Sequence, residues 1–160
     1  MLLTDLISSF AADPHDTAGL PPIDITGIAA DSRAVTAGDL FFALAGSHAD
    51  GRDFAAAAIT AGAAAIVTDM RPLDDALQRA TIPVLQTDNP RRALAQAAAR
   101  FWPRQPAMIA AVTGTNGKTS TVEFMRQIWK RVTWDSASIG TLGMQGIESR
   151  DMQGTMMGLA

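Results

Sequence analysis

The residues best placed to do chemistry are Thr113-Gly114-Thr115-Asn116-Gly117-Lys118-Thr119-Ser120. Two glycines and an asparagine make a turn after the apolar run Met108 to Val112, and Lys118-Thr119 opens a segment with helical spacing. Successive backbone N–H groups of such a turn, with those of the helix start, form a concave donor site for phosphate oxygens. Side chains at Gly114 and Gly117 would block that approach. Lys118 supplies a point charge for the β- and γ-phosphates, and the Thr119 hydroxyl supplies an oxygen for a nucleotide-bound Mg²⁺. The position five before Gly117 is Val112, so the loop is a shorter variant of G-x-x-x-x-G-K-[ST].

Two further polar segments flank an apolar one. Asp31-Ser32-Arg33 precedes Leu40-Phe41-Phe42-Ala43-Leu44, and Ser47-His48-Ala49 follows it. If the apolar run is a buried strand, Ser32 and His48 lie at neighbouring edges of one sheet, as a small-ligand rim. Spacing alone favours a capped turn at Asp31 and an ordinary loop at His48. His15 has no second ligand near it and reads as a solvated loop residue.

These segments must be carried by an α/β framework. Leu3, Leu6, Ile7 and Phe10 recur at helical spacing, and Ile23, Ile25 and Ile28 suggest a strand. Helices are expected over 54–61 and 74–80, strands over 63–67 and 82–85, and Gly62 as a helix terminator. Asn89 caps a helix with Pro90 at its first position, continuing to Trp102 with Leu94, Ala98 and Phe101 on one face. Pro103-Arg104-Gln105-Pro106 is a stiff linker, which divides the chain into domains 1–105 and 106–160. After the linker come the strand Met108 to Val112, the phosphate loop, a helix from Lys118 to Arg131, and a second strand near Ala137 to Ile139. One helix between two strands has too little core to be a domain by itself.

Composition narrows the classes. In 160 residues, 48% are hydrophobic and the formal charge is -3, a folded chain with no polyanion-seeking surface. Nucleic acid and membrane are not expected as partners. The absence of cysteine excludes disulfides, thiolate metal sites and a cysteine nucleophile. The start Met1-Leu2-Leu3-Thr4-Asp5 lacks a basic region, so no signal peptide is read and a cytoplasmic location is expected.

Three separated signatures together resemble one family, the Mur ligases, ATP-dependent amino-acid-adding enzymes of peptidoglycan synthesis. They are Asp31-Ser32-Arg33 with Gly38-Asp39-Leu40-Phe41-Phe42-Ala43-Leu44, then Asp50-Gly51-Arg52-Asp53-Phe54, then the loop Thr113 to Thr119. With Gly140-Thr141-Leu142-Gly143 after it, that loop is most similar to the branch that adds the third residue, diaminopimelate or lysine. The resemblance implies a small N-terminal α/β UDP-binding domain, followed by the first strand, P-loop, helix and strand of a parallel-sheet ATPase domain. It implies that Ala30, Ser32, Ser47, His48 and Ala49 contact the uridine nucleotide of UDP-N-acetylmuramoyl-L-alanyl-D-glutamate. Gly114, Thr115, Asn116, Gly117, Lys118, Thr119 and Ser120 would hold ATP, Thr119 the Mg²⁺, and Lys118 would be catalytic.

Family members are longer, three-domain enzymes, so the resemblance implies a part that does not turn over substrate alone. The family's threonine pair and proline are expected after Gly154-Thr155-Met156, where this chain reads Met157-Gly158-Leu159-Ala160. Asp88-Asn89-Pro90-Arg91 spells the family's diaminopimelate-recognition motif, which belongs to its C-terminal domain; here it caps a helix and carries no choice of amino acid. Two other readings remain at this point. One is a P-loop kinase or NTPase with an unrelated α/β domain, which needs an acidic residue at a second strand end that Ala137 to Gly140 does not offer. The other is a non-catalytic UDP-sugar-binding module.

Overall fold

The computed structural model describes residues 1–8, 10, 19–46, 49–104 and 106–146. The chain divides into two compact units, and among the described residues the division falls between 104 and 106 in the sequence.

In the first unit four parallel strands lie in sequential order, β1 (Gly27–Ala29), β2 (Asp39–Phe42), β3 (Ala65–Thr68) and β4 (Val84–Gln86). The crossovers carry 3-10 turns at Ser32–Ala34 and Gly51–Phe54 and the helices α2 (Ala55–Thr60) and α3 (Asp75–Gln78). Two further helices, α1 (Leu3–Ile7) and α4 (Pro90–Phe101), complete the unit. Both faces of the sheet are covered, which is why the run Leu40 to Leu44 at β2 is continuously apolar rather than alternating. Leu40 and Phe42 join Ile28, Val67 and the buried side of α1 and α4, whereas Phe41 and Ala43 join Ile66, Ala55, Ala58 and Leu77 on the α2–α3 side. Period-two side-chain direction thus sorts one strand between two cores.

Helix starts follow local chemistry. The Asn89 side chain accepts from Arg92 N–H at 3.0 Å, and Pro90 occupies the first turn, where its missing donor costs nothing. The buried side of α4 is centred on Ala93 and Ala97, with Leu94 and Phe101 flanking it; the expected face of Leu94, Ala98 and Phe101 is displaced by about one position. Small residues at the centre let the helix approach the sheet closely. At α2 the chain stops at Gly62, which takes φ +100°.

The second unit holds α5 (Lys118–Arg131), as the spacing predicts, and an antiparallel hairpin of β5 (Ser138–Gly140) and β6 (Gly143–Gln145). Two expectations are corrected here. Met108 to Val112 forms no strand; Met108 and Ile109 lie open, Ile109 75% exposed, while Val112 is half-buried. The segment at Ala137 to Ile139 does become extended, but it pairs with the residues that follow it and not in parallel with 108–112. A strand exists only where a neighbour takes its backbone hydrogen bonds, and the nearer partner wins because closing a two-residue turn costs little chain entropy. With one helix and a two-stranded ribbon, no side chain of α5 is fully buried.

Candidate functional site

Ala30 and Ser32 stand just past the carboxyl end of β1, and the loop 45–50 stands past that of β2. Because β1 and β2 are parallel neighbours in register, Ile28 opposite Leu40 and Ala29 opposite Phe41, both segments leave the same edge of the sheet. This is the edge where α/β sheets bind ligands, since the chain there is loop rather than ladder. Asp31 caps its turn by accepting from Arg33 N–H at 3.0 Å, as the spacing suggests, and half-buried Ser32 begins the 3-10 turn. The Arg33 guanidinium also grips the Asp31 carboxylate and holds its pKa down at about 2. Ser47 and His48 lie outside the described residues; Ala49 is exposed on the same loop.

That loop is fastened at its ends. Ala45 and Asp50 form an antiparallel bridge, Gly46 N–H donates to Ala49 O at 2.9 Å, and Gly51 N–H donates to Leu44 O at 2.8 Å. Arginines from outside the loop add to this. Arg91 donates to Ala45 O at 2.7 Å, so the Asp-Asn-Pro-Arg stretch caps α4 with Asn89 and holds the loop with Arg91. Arg71 bridges Asp50 at 2.7 Å and Asp69 at 2.6 Å. Arg52 is only 6% exposed and reaches Pro72 O at 2.6 Å and Asp69 at 3.3 Å. The sequence reading missed all three supports; nothing in local spacing pairs Arg71 with a carboxylate 21 positions earlier.

This network carries a pH signature. Hydrogen bonds from Arg71 hold the Asp50 and Asp69 carboxyls below their usual range. A carboxyl depressed on folding contributes stability that is complete above the unfolded value near pH 4 and is lost as pH falls through the folded value. Unfolding free energy of the first unit, followed in urea from pH 7 to pH 2, is therefore expected to drop below about pH 4. Arg71→Ala should lower it at pH 7 and flatten the acid limb; a parallel limb would show that Asp50 and Asp69 are not its source.

In the second unit the loop 113–117 enters α5 with Gly117 as the N-cap, at φ +76° and with no side-chain cap. A Cβ built at Gly117 meets nothing within 4 Å, so the requirement there is the left-handed backbone and not space. Unlike α3 and α4, whose first turns are capped by Asp74 and Asn89, α5 starts without a side-chain cap, the condition under which a helix start can take an anion. The Lys118 ammonium lies back over the loop, donating to Gly114 O and, at 3.2 Å, to Thr115 O. Lys118 and Thr119 line a cavity of about 230 Å³ with Val122, Glu123, Thr141 and Gly143 among its other walls. Glu123 is held by Arg126 and Gln127, and those hydrogen bonds lower its pKa to about 2. Among the described residues no three carboxylates, histidines or cysteines cluster as a metal site. A cation here would take the Thr119 hydroxyl and draw its remaining oxygens from phosphate and water, which is how Mg²⁺ commonly binds beside nucleotides.

A four-stranded parallel sheet with a loop rim in the first unit, and a glycine-rich loop opening a helix in the second, define an α/β protein. The family profile described as "Mur ligase family, catalytic domain" matches residues 24–102, and "Mur ligase middle domain" matches residues 112–159. The chain belongs to the Mur ligase family. It is 56% identical over 144 residues, 90% of this chain and 28% of the relative, to a Bradyrhizobium diazoefficiens protein named UDP-N-acetylmuramoyl-L-alanyl-D-glutamate--2,6-diaminopimelate ligase. A Caulobacter vibrioides protein of the same name is 48% identical over 143 residues, covering 89% of this chain and 27% of the relative. The chain thus spans little more than a quarter of the length of these curated relatives. Among solved structures it is similar to a MurF ligase from Thermotoga maritima in complex with ADP (27% identity, TM-score 0.51, 66% of this chain and 23% of that one). A MurF from Acinetobacter baumannii gives 34% identity and TM-score 0.52 over 68% of this chain and 23% of that one. The match over 24–102 removes the reading in which the first domain is unrelated to the P-loop.

Proposed function

We propose that this chain is part of an ATP-dependent amide-bond ligase of cytoplasmic peptidoglycan synthesis, which adds diaminopimelate to UDP-N-acetylmuramoyl-L-alanyl-D-glutamate. The observation that carries the reading is 56% identity to a diaminopimelate ligase along 144 residues. The fold is shared with MurF ligases, but at identities of 27% and 34%, so the distance in sequence favours the diaminopimelate branch over theirs. The name of the relatives, and not Asp88-Asn89-Pro90-Arg91, favours diaminopimelate over lysine.

In this reading residues 1–105 are the domain that takes the UDP end of the substrate. Ala30 and Ser32 meet it from the β1 edge, and Ser47, His48 and Ala49 from the loop after β2. Residues 106–160 begin the ATPase domain, with Gly114 to Ser120 around the phosphates. The γ-phosphoryl passes to the free side-chain carboxylate of the D-glutamyl residue: the carboxylate oxygen bonds to phosphorus as the bond to the β,γ-bridging oxygen breaks, leaving ADP. The amine of the incoming diamino acid then attacks the acyl carbon, loses a proton, and phosphate departs. Lys118 places a positive charge where charge builds on the β,γ-bridge, and the open N–H groups of the loop and α5 hold the phosphates in line. Mg²⁺ held through Thr119 would add charge neutralisation on the phosphates. The other domains of the longer relatives complete the enzyme, so the chain alone binds without turning over.

Calorimetric titration of the chain with UDP-N-acetylmuramoyl-L-alanyl-D-glutamate tests the first half of this reading. Saturable binding is expected, weakened about tenfold by Ser32→Ala, the loss of roughly one hydrogen bond to a nucleotide. Binding indifferent to that substitution would remove Ser32 from the site. No heat from folded protein would overturn the placement of the uridine site in this domain.

A further inference from the structure

We infer that Thr141 is a positioning residue for the Thr119 hydroxyl, orienting it as a ligand for a nucleotide-bound divalent cation; this rests on the ATP reading of the loop above. The Thr119 and Thr141 hydroxyl oxygens lie 3.1 Å apart, 22 positions distant in sequence. Both side chains border the same cavity at the start of α5.

A threonine hydroxyl has one hydrogen and two lone pairs. When a lone pair of Thr119 faces a cation, the hydrogen must point away from the metal, and an acceptor on that side fixes the rotation. Thr141 Oγ1 is that acceptor. Of the two directions open to this hydrogen bond, donation from Thr119 to Thr141 leaves both Thr119 lone pairs for a cation, whereas the reverse direction occupies one of them. Thr141 then plays the part that outer carboxylates and carbonyls play for metal-bound histidines.

The fold holds Thr141 firmly enough for this. It sits in the two-residue turn between paired Gly140 and Gly143, with Gly143 at φ +75° and Gln145 Nε2 donating to Leu142 O at 3.1 Å across the turn. The hairpin thereby carries its tip to the first turn of α5. Glu123, the acidic side chain lining this cavity, is engaged by Arg126 and Gln127 rather than by either threonine hydroxyl.

The test is equilibrium ATP binding to the whole chain, once with excess Mg²⁺ and once with EDTA, for the wild type, Thr141→Ala and Thr141→Ser. Wild type should bind ATP more tightly with Mg²⁺. Thr141→Ala should lose about tenfold of that gain, in the range typical of outer-shell partners, with metal-free affinity within twofold of wild type. Thr141→Ser, which keeps the acceptor, should restore the gain. Equal losses with and without Mg²⁺ would make Thr141 a merely structural residue and overturn the inference, as would an unchanged gain in Thr141→Ala. A Thr141→Ser variant as impaired as Thr141→Ala would also overturn it. If wild type binds no ATP under either condition, the ATP reading itself fails and the inference falls with it.

Discussion

Lys118→Met should weaken ATP binding by about 100-fold and leave binding of the UDP-linked dipeptide to the first unit unchanged. The expectation starts from the loop, where the ammonium already contacts Gly114 O and Thr115 O and so lies back over the donor-rich turn. Charge-assisted hydrogen bonds contribute about 1.5–3 kcal/mol each, and a shift of 1.4 kcal/mol is tenfold, so losing the equivalent of one to two such bonds gives about two decades. Methionine keeps the length and much of the apolar stem but supplies no donor. Lys118→Arg should recover only part of the loss, because a planar fork cannot replace a compact charge against the turned backbone. Fluorescent-nucleotide displacement reads ATP affinity, and calorimetry with the UDP-linked substrate serves as the internal control. No ATP binding by the wild type, with binding of the UDP-linked substrate indifferent to Lys118→Met, would favour a UDP-sugar-binding module with a vestigial loop. Parallel loss of both ligands would point instead to general unfolding.

The parts of this protein that were readable in the sequence are those set by local chemistry. The span Lys118–Arg131 followed from apolar periodicity after the glycine turn, and α4 from Asn89-Pro90. Strand β2 was visible as Leu40 to Leu44 because both of its faces are buried, which leaves a continuous apolar signal. What depended on partners was not readable. Met108 to Val112 has the composition of a buried strand, yet composition cannot say whether a neighbouring ladder is present, and here the extended segment at 138–140 folds back on 143–145. The site showed the same division. Asp31 as a cap was a local fact, whereas Gly117 was read as leaving room for a phosphate and its left-handed φ of +76° was not. The grip of Arg91 on Ala45, of Arg71 on Asp50, and of Thr141 on Thr119 spans 46, 21 and 22 positions. Such pairs are created by the topology that brings strand ends together, and no window of sequence contains them.

Gly51→Ala is expected to cost the first unit about 3 kcal/mol, a fall in unfolding midpoint of roughly 15 °C for a domain of this size. A Cβ at this position would lie 2.5 Å from Leu44 N, 2.6 Å from Leu44 O and 2.8 Å from Ala43 C, all of them backbone atoms. Backbone cannot rotate aside as a side-chain tip can. It is pinned here by the Ala43 N–H bond to Val67 O at 2.8 Å and by Gly51's own bond to Leu44 O. Relief therefore means pulling apart the exit of β2 and the 3-10 turn that begins at Gly51. The neighbours would go with it, because Asp50 caps that turn through Arg52 N–H and Arg52 is buried against Asp69 and Pro72. Gly117→Ala provides the contrast, since a Cβ there meets no atom and the penalty is the positive φ alone, about 1 kcal/mol. Thermal unfolding of the two variants beside wild type separates steric from conformational demand. The loop 45–50 hangs from the same contacts, so Gly51→Ala should also abolish binding of the UDP-linked substrate at temperatures where the unit is still folded. A variant as stable as wild type would mean that β2 and the loop after it yield more easily than their hydrogen bonds imply.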